Sequence, residues 1–356
     1  MSVPTMQAVV KAAPKPGAEL QRVAVPEIGA REVLVRVQAA SICGTDLHIY
    51  RWDRWSERRI HPPLVFGHEF CGVVERVGDE VATVQKGDFV SAEMHVACGR
   101  CFQCRTGQRH ICKDVRIIGI DMDGCFAEFV KIPESNIWKV DPAIPVDYAA
   151  VLDPLGNAIH TVLAGDVAGL SLAVTGCGPI GLFAIAVAKA CGAGPIFASE
   201  PHPYRIKLAE KMGATVVIDS SKTDPAQEVL AQTQGVGADV VLEMSGNPLG
   251  VRQAFQMLRR GGRISLLGIP SKPLELDLAN DVIFKGAIVQ GINGRRVFET
   301  WYKMQALLKS GALDLSPLIT DRMPMSDFAR GVDLLLSGNA SKVLLYPDGT
   351  RPDPGP

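Results

Sequence analysis

One stretch limits the architecture more than any other: an apolar run, Leu170–Thr175, that ends in Gly176-Cys177-Gly178-Pro179-Ile180-Gly181 and opens a helical stretch reaching Ala190. Alternation continues from there. Ile196–Ser199 reads as strand, Tyr204–Met212 as helix, Thr215–Asp219 as strand, Pro225–Thr233 as helix, Asp239–Met244 as strand, Pro248–Leu258 as helix and Arg263–Leu267 as strand. A chain that switches between strand and helix in this way argues for a doubly wound parallel α/β sheet of the Rossmann type, which buries both of its faces under helices. Between strand and helix, the three glycines have separate tasks. Gly176 permits the tight turn, Gly178 lets the backbone approach a pyrophosphate, and Gly181 lets the helix pack on the strand, its N-terminus favouring phosphate charge. Glu200 ends the second strand, where a carboxylate can accept both adenine-ribose hydroxyls and repel a 2′-phosphate, so the expected cofactor is NAD rather than NADP. Arg205 could stack on the adenine or contact the ribose, or be a solvated helix charge. Leu267-Gly268-Ile269 is either the chain edge beside a nicotinamide ribose or a core strand entering a turn.

The flanking blocks differ. Residues 1–155 carry short strand-like runs, Glu32–Gln38, Cys71–Val77 and Asp88–Ala92, separated by turn signals, the pattern of a β-barrel-like domain. Residues 156–295 are the dinucleotide domain. Residues 296–346 carry two helical patterns, Phe298–Ser310 and Ser326–Ser337, and a last strand, Lys342–Tyr346. The tail 347–356, with four prolines in ten residues, is expected to be disordered.

The first block holds the chemistry. Cys43-Gly44-Thr45-Asp46-Leu47-His48 is followed by Gly67-His68-Glu69, which brings a thiolate, imidazoles and a carboxylate together as a catalytic zinc requires: three protein ligands and one open position. Cys43 and His68 are two of the ligands, and Glu69 and Asp153 compete to be the third. Zinc with one thiolate, one imidazole and one carboxylate is neutral, whereas a second bound carboxylate would disfavour the alkoxide. The reading therefore puts Glu69 near the metal at rest and Asp153 beside it or exchanging in. Thr45 would take the hydroxyl proton, and a cofactor ribose hydroxyl and His48 could carry it to solvent. Cys98, Cys101, Cys104 and Cys112 would close a tetrahedron with no open position, a structural zinc. An iron–sulfur run would place its fourth cysteine after three residues, where here the gap is seven. Cys71, Cys125, Cys177 and Cys191 read as small packing residues.

A net charge of −1 gives no basic surface for nucleic acid or an anionic membrane. There is no signal peptide pattern and no unbroken apolar span. Nine cysteines, an odd number with five in metal-like settings, favour a reducing compartment over a disulfide framework.

Taken together, these motifs resemble the zinc-containing medium-chain alcohol dehydrogenase superfamily from about residue 6 to 346. The resemblance implies a GroES-like β-barrel catalytic domain interrupted by the Rossmann domain. Ile42–Trp55, Leu152–Thr161, Leu242–Gly246, Val282–Gly286, Phe298–Met304 and Leu315–Thr320 resemble those members that oxidise L-threonine at its β-hydroxyl to 2-amino-3-oxobutanoate with NAD⁺, as cytoplasmic homotetramers. It further implies zinc at Cys43, His68 and Glu69, a relay through Thr45 and His48, and Asp153 in the relay rather than in steady coordination. Ile180, Glu200, Arg205, Leu267–Ile269, Ile292 and Asn293 match cofactor-contacting positions. Asn293 replaces a tyrosine found in some members, so its contact would be through backbone. His95 matches a histidine that precedes the cysteine lobe and is a candidate substrate-pocket residue. A sorbitol- or butanediol-type dehydrogenase would need the same zinc and NAD, while a non-catalytic NAD-binding zinc protein would not need Cys43, Thr45, His48 and His68 together.

Overall fold

A computed structural model describes residues 3–349; from residue 350 on, the proline-rich tail expected to be disordered lies outside the described residues. The chain divides into two compact units, one running to Asp153 and resuming at Ile319, the other Pro154–Leu318. The return to the first unit thus comes at Ile319, later than the expected residue 296. Helix Glu299–Lys309, with Trp301 and Met304 fully buried, belongs to the second unit.

In the first unit the central strand is Glu32–Ser41, antiparallel to Glu69–Val77 on one side and to Lys342–Tyr346 on the other. Alternating Val33, Val35 and Val37 are 0–1% exposed, so this strand pins the core. Phe66, Phe126 and Phe328 fill the centre as a mutual cluster with ring centroids 5.3–5.4 Å apart. Two short helices, Gly44–Arg51 and Arg54–Arg59, interrupt the strands where the sequence shows the Cys43 motif. They are too short for apolar periodicity to reveal them. Cys43 and Asp53 cap them instead.

The second unit is the doubly wound sheet expected. Six parallel strands run in the order Val216–Asp219, Ile196–Glu200, Leu172–Thr175, Ala238–Glu243, Leu258–Leu266, Ile288–Gly291. The order reverses beside Leu172–Thr175, which places the glycine loop at the switch point, the usual ligand site of such sheets. Ile288–Gly291 had no strand signature: it is an edge strand whose Ile288 and Val289 are exposed, so neither alternation nor a buried run marks it. Asp153, read from sequence as a carboxylate beside the catalytic metal, lies in the first turn of helix Leu152–Val162. Pro154 fits there because first-turn amides need no partner.

Candidate active site

Cys43 is the N-cap of helix Gly44–Arg51. Asp46, three residues on, accepts the Cys43 N–H at 2.8 Å and completes a capping box. This lock orients the thiol, whose sulfur is 3.9 Å from Thr45 Oγ1. His68 arrives from a separate turn. Gly67 has φ +91°, and a Cβ there would sit 2.5 Å from the Phe126 ring; a Cβ on Gly124 would meet the Gly67 carbonyl at 2.0 Å. Only glycines allow these backbones to close and aim His68 inward.

The Cys43, His68 and Glu69 donor atoms all lie within 4.8 Å of one another. His68 and Glu69 are buried, and His68 Nδ1 is 3.8 Å from Asp46 Oδ1. Burial pushes the His68 imidazolium down, but Asp46, Cys43 and Asp153 together hold it up at about 10. Burial raises Asp46 to about 6 against the pull of His68. Glu69 is divided: Oε2 takes a short hydrogen bond from buried Lys342 Nζ, while Oε1 has no hydrogen-bond partner. A buried carboxylate oxygen left open beside a thiol and an imidazole suits a divalent cation, and the donor set suits zinc. Asp153 is buried and acts electrostatically on His68, but it is outside this close set.

His48 lies one turn after Thr45 on the same helix; its side chain is 60% exposed and its Nδ1 is 2.5 Å from Asp53 Oδ2. His95 is nearly buried, with Nδ1 2.6 Å from the Glu93 carboxylate.

The sulfur atoms of Cys98, Cys101, Cys104 and Cys112 form the second close set. Cys101 is 3.5 Å from Cys104 and 3.8 Å from Cys112. Four bonds of about 2.3 Å directed to tetrahedral corners would space sulfurs by about 3.8 Å, so the lobe fits zinc. The Cys104 backbone N–H, then others, lower Cys101 to about 6, which favours the thiolate a metal needs. All nine cysteines are free thiols, and Cys71, Cys125 and Cys177 are buried in the core as expected for packing residues.

In the second unit, Gly176 adopts φ +86°, and a Cβ on Gly181 would collide with the Gly176 carbonyl at 2.1 Å. A Cβ on Gly178 would meet nothing within 4 Å. The helix Pro179–Ala190 therefore opens onto free space, as a pyrophosphate cradle requires. A cavity of about 370 Å³ lies alongside, lined by Gly176, Gly178, Glu200, Arg205 and Asn247 among others. Glu200 is held by the Cys177 N–H at 2.8 Å and the His202 N–H at 3.1 Å, with Arg205 Nη1 4.0 Å away. Ile180 lies in the first turn of that helix. Leu267-Gly268-Ile269 and Ile292-Asn293 follow the carboxyl ends of two adjacent strands, and the Ile292 N–H bonds the Leu266 carbonyl. Sequence reasoning missed Glu243, a fully buried carboxylate that binds the Ser245 and Gly246 amides and so shapes the loop beside this cavity. It also missed Asp46, Asp53, Glu93 and Lys342. Of these, Asp46, three residues after an N-cap, and Asp53, itself an N-cap aspartate, left local signals.

Similarity to known proteins agrees with this arrangement. The sequence matches the alcohol dehydrogenase GroES-like domain over residues 29–142 and the zinc-binding dehydrogenase family over residues 179–310. The chain belongs to the zinc-binding alcohol dehydrogenase family. Within it, the chain is 51% identical over 342 residues to the L-threonine 3-dehydrogenase of Bacillus licheniformis, covering 96% of this chain and 99% of that one. It is 46% identical to the L-threonine 3-dehydrogenase of Thermococcus kodakarensis, covering 96% and 98%. Among solved structures, an alcohol dehydrogenase from Thermus sp. ATN1 is 33% identical with TM-score 0.87, covering 96% and 99%. The 2R,3R-butanediol dehydrogenase of Bacillus subtilis is 29% identical with TM-score 0.86, covering 96% and 99%.

Proposed function

We propose that this protein oxidises L-threonine at its β-hydroxyl to 2-amino-3-oxobutanoate, with NAD⁺ as hydride acceptor and zinc as the catalytic metal. The observation that carries the chemistry is the close set Cys43, His68 and Glu69, with one Glu69 oxygen open. What carries the substrate is near-full-length identity of about half to enzymes named for threonine oxidation.

Cys43, His68 and Glu69 would hold the catalytic zinc, and the four-cysteine lobe a second, structural zinc. Bound zinc supplies Lewis acidity toward a hydroxyl, and bound NAD⁺ supplies the hydride acceptor. Thr45 Oγ takes the hydroxyl proton as it gives up its own, and His48, exposed to water, is where a proton leaves the site. Asp153 stays beside His68 as a relay carboxylate, since a second bound carboxylate would make the site negative. His95, its ring fixed by Glu93, borders the substrate. Glu200 and Arg205 bind the adenosine end of the cofactor, Gly176, Gly178, Ile180 and Gly181 the pyrophosphate, and Leu267, Gly268, Ile269, Ile292 and Asn293 the nicotinamide end.

The same reading includes a cytoplasmic homotetramer. Nine free thiols accord with a reducing compartment, and no helix among the described residues is long and apolar enough to cross a membrane. Exposed Ile283, Phe284, Ile288 and Val289 on and before the edge strand accord with burial against another copy. Light scattering tests the assembly, and a monomer would contradict it. For the reaction, the zinc-loaded enzyme with NAD⁺ is assayed on L-threonine, sorbitol and 2,3-butanediol. Threonine should give the highest kcat/KM; a higher value for either polyol overturns the assignment.

A further inference from the structure

Asp53 is a single carboxylate with two separate duties. Its Oδ1 caps helix Arg54–Arg59, accepting the Trp55 and Ser56 amides at 3.1 Å each. Its Oδ2 lies 2.5 Å from His48 Nδ1. The cap fixes the carboxylate, and the carboxylate fixes the imidazole. The Trp55 ring, carried by the capped helix, stands edge-on to the His48 ring with centroids 6.2 Å apart. An exposed histidine would ordinarily sample several rotamers and both tautomers. Here two residues from the neighbouring helix hold it in one orientation.

We infer that Asp53 is a positioning residue for the proton relay, holding His48 as the Nδ1–H tautomer so that Nε2 is the free acceptor. The inference rests on the relay reading of Thr45 and His48. In each turnover Nε2 takes the proton passed on from the substrate hydroxyl and releases one proton to water. The Nδ1–H stays bonded to Asp53, whose charge favours the transient imidazolium and does not itself change. An amide at this position would keep the cap oxygen but offer its NH₂ to Nδ1. That makes Nδ1 the acceptor and Nε2 the N–H, the wrong tautomer for accepting a proton.

The test uses the zinc-loaded full chain with NAD⁺ and L-threonine, measuring single-turnover NADH formation, steady-state KM and melting temperature. The variants are Asp53→Asn, Asp53→Ala, His48→Gln and His48→Gln/Asp53→Asn. Asp53→Asn should slow single turnover about tenfold or more while KM stays within about twofold and melting is nearly unchanged. Asp53→Ala should be equally slow and also melt lower. The double variant should be no slower than His48→Gln, because Asp53 acts only through that ring. If His48→Gln is slow and Asp53→Asn keeps the wild-type rate, Asp53 is a cap only and the inference falls while the relay survives. Multiplying losses in the double variant overturn it as well. A wild-type rate in His48→Gln removes the relay and this role together.

Discussion

Replacing Lys342 with methionine leaves the Glu69 carboxylate stranded. Both residues are 1% exposed, and Lys342 Nζ donates to Glu69 Oε2 and, at 3.0 Å, to the Ile42 carbonyl. Methionine keeps the apolar stem but removes the charge and both donors. At hydrogen-bond contact, about 3 Å, and an effective dielectric of about 20, the pair's attraction is roughly 5 kcal/mol. Removing one partner of a buried pair costs about 3–5 kcal/mol, because the survivor is left in a dry site without compensation. For a unit of this size that lowers the melting temperature of metal-free protein by roughly 6–20 °C. Zinc loading should shrink the loss, since the cation faces the same carboxylate. Lys342→Met/Glu69→Gln should recover most of it, because no unpaired charge remains. The assay is differential scanning calorimetry of the two single variants and the double, metal-free and zinc-loaded. Single-variant shifts below about 2 °C, or a double-variant loss equal to the sum of the singles, would refute the reasoning.

Three further outcomes are expected. Cys43→Ser should abolish turnover with little change in melting, whereas Cys104→Ser should mainly lower the melting temperature; equal melting shifts from both would count against two distinct zinc roles. Glu200→Ala should reduce the kcat/KM preference for NAD⁺ over NADP⁺ about tenfold or more, and an unchanged ratio would remove Glu200 from cofactor selection. In chelator-treated protein His68 sits at about 10, above its unfolded value near 6.5, so the stability it contributes is complete below about pH 6.5 and is lost as pH climbs toward 10. The melting temperature of metal-free wild type should therefore fall faster than that of metal-free His68→Gln between pH 7 and 10, a window in which Asp46, at about 6, is already ionised. Parallel curves would show that the ring is not held protonated.

Much of the second unit was legible because its signals are local. Strand Leu172–Thr175, the glycine spacing and Glu200 at a strand end follow from neighbours within thirty residues, and parallel strands buried on both faces read as apolar runs. The first unit was less transparent. Helix Gly44–Arg51 opens with glycine, fully buries only Asp46 and Ile49 and leaves Leu47 and Tyr50 half-buried against the core, so no clear periodicity announces it. The edge strand Ile288–Gly291 lacks a buried face to set a pattern. The end of the second unit was misjudged because Glu299–Lys309 is amphipathic in either context, and sequence does not say which core receives Trp301.

The candidate site shows the same division. Donor types and their spacing, Cys43 with Thr45 and His48, His68 with Glu69, and four cysteines within fifteen residues, were set by sequence alone, because each cluster is built from one turn or loop. What surrounds those donors was decided by the fold. Lys342 is 273 positions from Glu69. It reaches the carboxylate because Lys342–Tyr346 and Glu69–Val77 flank the same central strand, Glu32–Ser41, on opposite sides. Asp46 lies near His68 because a capping box and a left-handed glycine turn converge. A short motif can bring candidate metal donors together. The charges that balance them in a dry interior come from strands paired across the whole chain, and only the tertiary structure decides that pairing.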